Sequence, residues 1–342
     1  MGSALNERTA PRLSAPKTST SPIPPGSVVA ITELAQADGY LWGREALGWF
    51  AMRQGTTWWV SVVESNREWC RELPGWPVDS EPPVLVRGSP GVWVGPGANR
   101  DELLAYGAQL KAAGYQPAAV VYGDNTTRDL LLSHGWLVAV RAANVPDCPD
   151  TALPPETSAA QFLARVVAVT GTRAQWIIAA NECGWPSAEY AASWIAAAGR
   201  IAPAFGIRAL VPVVWNAGAP ELSWLPVLAP AYRAAPVALA WGMNVYPVHS
   251  GVGLSVRSAY TQWTTWRYEL YRDQLRGVPL VITEYARGDG SEPPDWQDIR
   301  LWWYQVRDHV LWSAAWYTAT PLGQWAAANL RGRLGELVRA VL

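Results

Sequence analysis

Two glutamates stand where a buried strand gives way to a loop. The apolar run AQWIIAA ends at Asn181-Glu182, and VPLVITEYARG places Glu284 at its end, 102 positions later. Burying a charged carboxylate is costly unless it is paired or solvated, so each should face an open mouth rather than a core. Two carboxylates that converge there can work on a glycosidic bond. At ~5–5.5 Å one can attack the anomeric carbon while the other protonates the leaving oxygen; at ~6.5–9.5 Å a water fits between them and the configuration inverts. In the first arrangement the acid/base needs a pKa above its partner's, through burial or through the neighbouring carboxylate.

Other side chains follow apolar runs in the same way. VALAWGMNVYP carries Trp241, Asn244 and Tyr246; Trp215 closes the run 207–215; LWSAAWYTATP carries Trp316. Arg141 and Asn144, with Tyr122 and Asp124, come after two earlier runs and could line a sugar site. Structural alternatives stand beside these readings. Glu182 could cap the helix after Pro186, and Glu284 could pair with Arg287 at the rim. Tyr246, Trp316, Trp215 and Trp241 could all be core residues. His249 reads as a loop histidine, Cys183 as an inert thiol, and Trp263, Trp266, Trp302 and Trp303 as helix residues packed on a barrel wall.

The elements that would position these residues alternate regularly. Strand-like runs cover 84–94, 117–122, 136–141, 175–180, 207–215, 237–246, 279–285 and 311–318. Helical segments cover 100–113, 125–134, 156–169, 187–204, 222–234, 258–276, 295–309 and 324–341. Ser187, Asn125 and Ser223 are expected N-caps, and Gly114, Gly135, Gly171, Gly206 and Gly277 expected stops. The strands are continuous apolar runs, as when both faces are buried. Eight strands alternating with eight helices favour a closed α/β barrel, a (β/α)8 TIM barrel, over an open doubly wound sheet. No GxGxxG follows the first strand and no GxxxxGK[ST] occurs, which argues against nucleotide binding.

The N-terminal part has another character. Residues 1–27 are rich in Pro, Ser and Thr and read as a flexible tether. Residues 28–70 hold short aromatic and β-branched runs between Gly-containing turns, a small all-β unit; 71–83 read as a linker, and 84–342 as the barrel. Tyr40 to Val60 resembles the later strands of bacterial SH3-like domains, which implies cell-wall or polysaccharide contact through residues 28–63.

Composition narrows the partners. Among 342 residues, 27 basic against 28 acidic side chains give a net charge of −1, no electrostatic footprint for nucleic acid. No run reaches the length of a membrane span, and the start lacks the apolar core of a signal peptide. The 22 Trp offer flat apolar faces that suit sugars, although most should pack in the core. Three cysteines without CxxC spacing give neither a disulfide framework nor a zinc site, and leave room for one bridge. No metal and no organic cofactor is expected.

On the Asn181-Glu182 and Glu284 positions, the chain resembles clan-A glycoside hydrolases, retaining (β/α)8 enzymes, over residues 84–342. The resemblance implies that Glu182 is the acid/base, Glu284 the nucleophile, and Asn181 a contact to the sugar 2-hydroxyl. Tyr246 would bond the nucleophile and Trp316 would floor the sugar site. Cys183 stands where a proline often follows Asn-Glu, and Asn244 where a histidine is frequent. The implied activity is cleavage of a β-linked oligo- or polysaccharide by double displacement, in an extracellular setting. A glycan-binding barrel without catalysis and a peptidoglycan hydrolase are the alternatives.

Overall fold

The computed structural model describes residues 4–19, 21–23, 29, 31–54, 57–58, 60, 62–63, 84–85, 88–216, 220–246, 271, 274–275, 277–286, 293–317 and 326–342. Its larger part is a closed parallel barrel. In chain order the barrel strands are β8 (Ser89–Val94), β9 (Ala118–Tyr122), β10 (Leu137–Arg141), β11 (Trp176–Asn181), β12 (Ala209–Trp215), the interrupted pair β13 (Ala238–Leu239) and β14 (Trp241–Val245), β15 (Leu280–Tyr285) and β16 (Trp312–Tyr317). Each pairs in parallel with the next, and β16 returns to β8, with Trp312 opposite Ser89 and Tyr317 opposite Val94. Eight strand positions therefore close the cylinder, as the alternation predicts.

Strand parity divides the apolar residues between two layers. On β9, Ala118 and Val120 belong to the interior cluster, and Ala119 and Val121 to the layer beneath the helices. On β10, Leu137 and Ala139 likewise point in, while Val138 and Val140 point out. Inside, alanines leave room for Trp93, Trp176 and Trp312; the last two rings lie 5.2 Å apart. Outside are α1 (Arg100–Ala112), α2 (Asn125–Ser133), α3 (Pro155–Thr170), α4 (Ala188–Ile201), α5 (Leu225–Arg233), α6 (Trp296–Val306) and α7 (Leu334–Val341). Helix α1 buries Leu103, Tyr106 and Leu110 at helical spacing, each leucine contributing ~1.5–3 kcal/mol of transfer free energy. Trp302 and Trp303 on α6 are buried. Trp263, Trp266 and most of the expected helix 258–276 lie outside the described residues.

Helix ends differ in detail from expectation. Ser187 does cap α4, accepting from the Tyr190 amide at 3.2 Å. At α2 the cap is Asp124, which accepts from the Thr127 amide at 2.9 Å, so Asn125 is already the first helical residue. Ser223 caps nothing; its hydroxyl turns to Glu221, and Trp224 precedes α5. Among the described residues of the expected helix 324–341, the α-helix begins at Leu334, after Gly332 takes a left-handed φ of 76°.

The N-terminal sheet is built from β1 (Glu7–Arg8), β2 (Glu33–Ala37), β3 (Tyr40–Glu45), β4 (Gly48–Gln54) and β5 (Thr57–Trp58), antiparallel in the order β1-β4-β3-β2, with β5 also on β4. A short parallel pair, β6 (Val62–Val63) with β7 (Val84–Leu85), follows. The tether expected over 1–27 is therefore corrected for Leu5 to Ile23. Glu7 and Arg8 pair with Phe50 and Trp49, Leu5 bridges to Ile23, and Ile23 packs with Phe50 and Met52. Composition suggested a tether because the pairing partner lies about 40 residues away, beyond any local signal. Gly48 permits the close approach of β1, since a Cβ there would lie 2.7 Å from the Arg8 carbonyl oxygen. The expected linker 71–83 lies outside the described residues.

Arg208, just before β12, joins the two parts at the barrel end where the strands begin. It bonds Glu7 and lies 3.4 Å from Glu45, and both carboxylates are buried. Two buried carboxylates thus share one guanidinium, and the Glu45 carboxyl is pushed up to about 8, first by burial, then by Glu7, against Arg208 and the Leu47 amide. The proton is held by the folded state and released on unfolding. Its contribution to stability is present below the ordinary value of 4.5 and is lost as pH rises through about 8. Denaturant melts from pH 5 to 9 should show wild-type stability falling relative to Glu45→Gln across that window. Parallel curves would remove the proton from Glu45.

Candidate active site

At the barrel end where the strands finish, the chain turns sharply after Asn181. The Asn181 amide donates to the Asp147 carbonyl at 2.9 Å, and the Glu182 amide to the Val214 carbonyl at 2.9 Å. Glu182 has φ 54°, left-handed and costly for a residue with a Cβ, about 1–3 kcal/mol. The turn leaves its carboxyl exposed rather than in the strand layer. Its Oε1 accepts from Asn244 Nδ2 at 2.7 Å, and the same nitrogen lies 3.5 Å from Asn181 Oδ1. Ser187 is the helix cap, so Glu182 is not needed there.

Glu284 reaches the site through an irregular strand. Met243 pairs with Ile282 but Asn244 with Glu284, and on the other side Ile282 pairs with Ser313 but Tyr285 with Ala315. One extra residue is inserted in β15 relative to both neighbours, a bulge of the kind that re-aims side chains at sites. Thr283 and Glu284 consequently both serve the site. Thr283 Oγ1 donates to Asn244 Oδ1 at 2.6 Å, orienting the amide that holds Glu182. Glu284 Oε1 accepts from Arg141 Nη1 at 3.0 Å, and Oε2 from the Tyr246 hydroxyl. The two glutamates are linked through Asn244 and Thr283.

Charge and burial are unequal. Glu284 is 6% exposed, and burial raises its carboxyl above the ordinary range, more than Arg141 and Tyr246 lower it; Glu182 and Asp147 add to the rise. The raised pKa therefore falls on the residue expected to be the ionised partner, because Glu284 is the buried member of the pair. Burial and the adjacent carboxylate push Tyr246 well above its ordinary value, so its hydroxyl stays a donor. Arg141 is gripped from both sides, its Nη2 lying 2.6 Å from Asp147 Oδ1. Its guanidinium sits 5.6 Å from the Tyr122 ring, which stacks on Trp93 at 5.5 Å.

The structure thus gathers Asn181, Glu182 and Asn244 into one hydrogen-bonded set and Arg141, Glu284 and Tyr246 into a second, with Asp147 bonded to both Arg141 and the Asn181 amide. It does not gather Trp215 or Trp241. Both are buried outside the barrel wall and stack on each other at 5.4 Å, with Tyr232 within 3.4 Å of the Trp215 indole nitrogen. Their side chains take the helix-facing parity of their strands. Asn144 occupies an exposed left-handed turn, φ 61°, and no hydrogen bond ties it to the carboxylates. Asp124 is a helix cap rather than a sugar contact. Trp316 is the last residue but one of β16, but its side chain, like His249 and Arg287, lies outside the described residues. Cys183 is not a thiol: it forms a disulfide with Cys148. Asp147 and Thr283 were missed by sequence reasoning. Neither lies in a motif; the only trace of Asp147 is an acidic residue six positions after Arg141.

Neither a protein-family profile nor a curated protein sequence matches this chain. Solved structures are similar at the level of backbone only. A truncated 3-deoxy-D-arabino-heptulosonate 7-phosphate synthase from Thermotoga maritima aligns over 75% of this chain and 86% of its own, at 11% identity and a TM-score of 0.38. Sph3 from Aspergillus clavatus, solved in complex with GalNAc, aligns over 75% of this chain and 98% of its own, at 12% identity and a TM-score of 0.37. These likenesses carry no chemistry to this chain. Among the described residues no group of three or more His, Cys, Asp or Glu could hold a metal ion, and no helix is long and apolar enough to cross a membrane.

Proposed function

We propose that this protein is a retaining glycoside hydrolase that cleaves a β-linked glycan, with Glu284 as nucleophile and Glu182 as acid/base. One observation carries the reading. Two strand-end glutamates share a hydrogen-bonded site in which they are held in opposite ways. Glu284 is buried, with an arginine on one oxygen and a tyrosine hydroxyl on the other, both favouring a fixed anion. Glu182 is exposed and takes one hydrogen bond from a neutral amide, which suits a group that passes protons to and from the leaving oxygen and water.

In the first step Glu284 attacks the anomeric carbon while Glu182 protonates the departing oxygen. In the second, Glu182 takes a proton from water, and that water displaces Glu284. Asn181 would meet the 2-hydroxyl of the sugar, the role that the resemblance implies for it. The disulfide supports an extracellular setting. The N-terminal sheet, joined at the opposite end of the barrel, could hold a polymer or cell wall without obstructing the mouth.

Reducing-sugar release from β-glucans, mannans, xylans, galactans and peptidoglycan tests this reading. Hydrolysis of one of them with retention at the anomeric carbon is expected. Inversion would remove the double displacement; binding without release would favour a glycan-binding barrel.

Arg141 offers a second test through pH. Its charge is the strongest influence favouring ionised Glu284. Arg141→Met should raise the Glu284 pKa further, so the acidic limb of kcat/KM moves to higher pH and the loss is greatest at low pH. An unmoved limb would dissociate that limb from Glu284.

A further inference from the structure

The loop that follows β10 touches the machinery of both carboxylates, and it does so through two consecutive residues. Asp147 Oδ1 takes Arg141 Nη2 at 2.6 Å, leaving Arg141 Nη1 on Glu284 at 3.0 Å. A guanidinium is a rigid planar fork, so fixing one amino group fixes the direction of the other. The Asp147 carbonyl accepts from the Asn181 amide at 2.9 Å, at the last residue of β11. The next residue, Cys148, is bonded to Cys183, whose peptide partner is Glu182.

We propose that Asp147 and Cys148 form a positioning clamp for the two carboxylates, Asp147 aiming Arg141 at Glu284 and the Cys148–Cys183 bridge holding Glu182 in its left-handed turn. The roles of the glutamates rest on the glycosidase reading above. A glutamate at φ 54° relaxes readily to the right-handed or extended regions unless its neighbours hold it. On its C-terminal side the holding neighbour is a covalent bond to the Asp147 loop. Asp147 is not an ordinary surface partner, because the arginine it grips is only 13% exposed. Neither residue need touch the sugar; both act through Arg141, Glu182 and Glu284.

The test uses the full chain carrying Cys70→Ser, so that the bridge supplies the only two cysteines. Tris(2-carboxyethyl)phosphine reduces the bridge: phosphorus gives up two electrons, the S–S bond breaks, and a water supplies the oxygen of the phosphine oxide and the protons of the two thiols. On a glycan the enzyme cleaves, reduction should lower kcat by about 100-fold, the scale of a 1 Å misplacement, with KM little changed. Reoxidation should restore it.

The second readout needs no turnover: the carbon-13 titration of the Glu284 carboxyl, assigned by its loss in Glu284→Gln. Asp147 has two opposed effects on that group. Its charge directly raises the Glu284 pKa, while its grip keeps Arg141 in place to lower it. Asp147→Ala, which removes both the charge and the acceptor for Arg141 Nη2, should raise the titration if positioning dominates and lower it if only the charge matters, and reduction should also raise it. A fall or no change in Asp147→Ala, or a reduced protein with unaltered titration and unaltered kcat, would overturn the clamp. If no glycan is cleaved the glycosidase reading fails, but the titrations still decide whether the clamp exists.

Discussion

Glu284→Ala is expected to lower kcat on the cleaved glycan by on the order of 10^4-fold or more, the scale seen when a nucleophile working as part of a catalytic unit is removed. The reason is geometric. Its two oxygens are fixed by Arg141 and Tyr246, so the variant loses the attacking atom and leaves both donors facing a cavity. KM should change far less, because the removed carboxylate is assigned to the attack and not to holding the sugar. Added azide or formate can enter that cavity and attack the anomeric carbon directly. Without a covalent intermediate on the protein, that reaction gives the inverted product. Rescue with inversion identifies Glu284 as the nucleophile. A variant that keeps its activity, or one in which a 2-deoxy-2-fluoro glycoside labels Glu182 instead, would reverse the roles. The raised pKa of Glu284 makes that reversal a meaningful outcome to look for.

The barrel was legible because its strands are buried on both faces. Runs such as AQWIIAA and VPLVITEY between helical stretches are visible without partners, and eight of them leave little choice of architecture. Placing Asn181-Glu182 on the fourth strand and Glu284 on the seventh followed from the same count. Burial on both faces is also why Trp215 and Trp241 were misplaced. Where every residue of a strand is apolar, the sequence holds no record of which parity faces the mouth. The bulge at Thr283 is a one-residue shift measured against two neighbouring strands, and neither neighbour is adjacent in sequence. The Cys148–Cys183 bridge spans 35 positions, and an odd cysteine count names no pair. The raised pKa of Glu284 comes from its burial at the mouth, which loops decide. Residues 5–23 looked like a tether because sheet pairing with β4 overrides a composition rich in Pro, Ser and Thr.

Glu182→Ala should behave differently from the nucleophile variant, and the difference is diagnostic. General acid–base assistance is worth ~10^2–10^4 in rate, so hydrolysis of a natural glycan, whose leaving oxygen needs a proton, should fall by that amount. An aryl glycoside with a strongly acidic phenol departs without a proton, and Glu284 can still attack it. The first step then stays fast, the second lacks its base, and the covalent intermediate accumulates as a burst of phenol. Azide should accelerate this variant too, but by capturing the intermediate from the face that water would use, giving a product of retained configuration. Asn244→Ala, which removes the 2.7 Å bond to Glu182 while sparing the carboxylate, should show a milder form of the same leaving-group dependence. Equal losses on activated and natural substrates, with no response to azide, would mean that Glu182 shapes the turn after β11 and moves no proton.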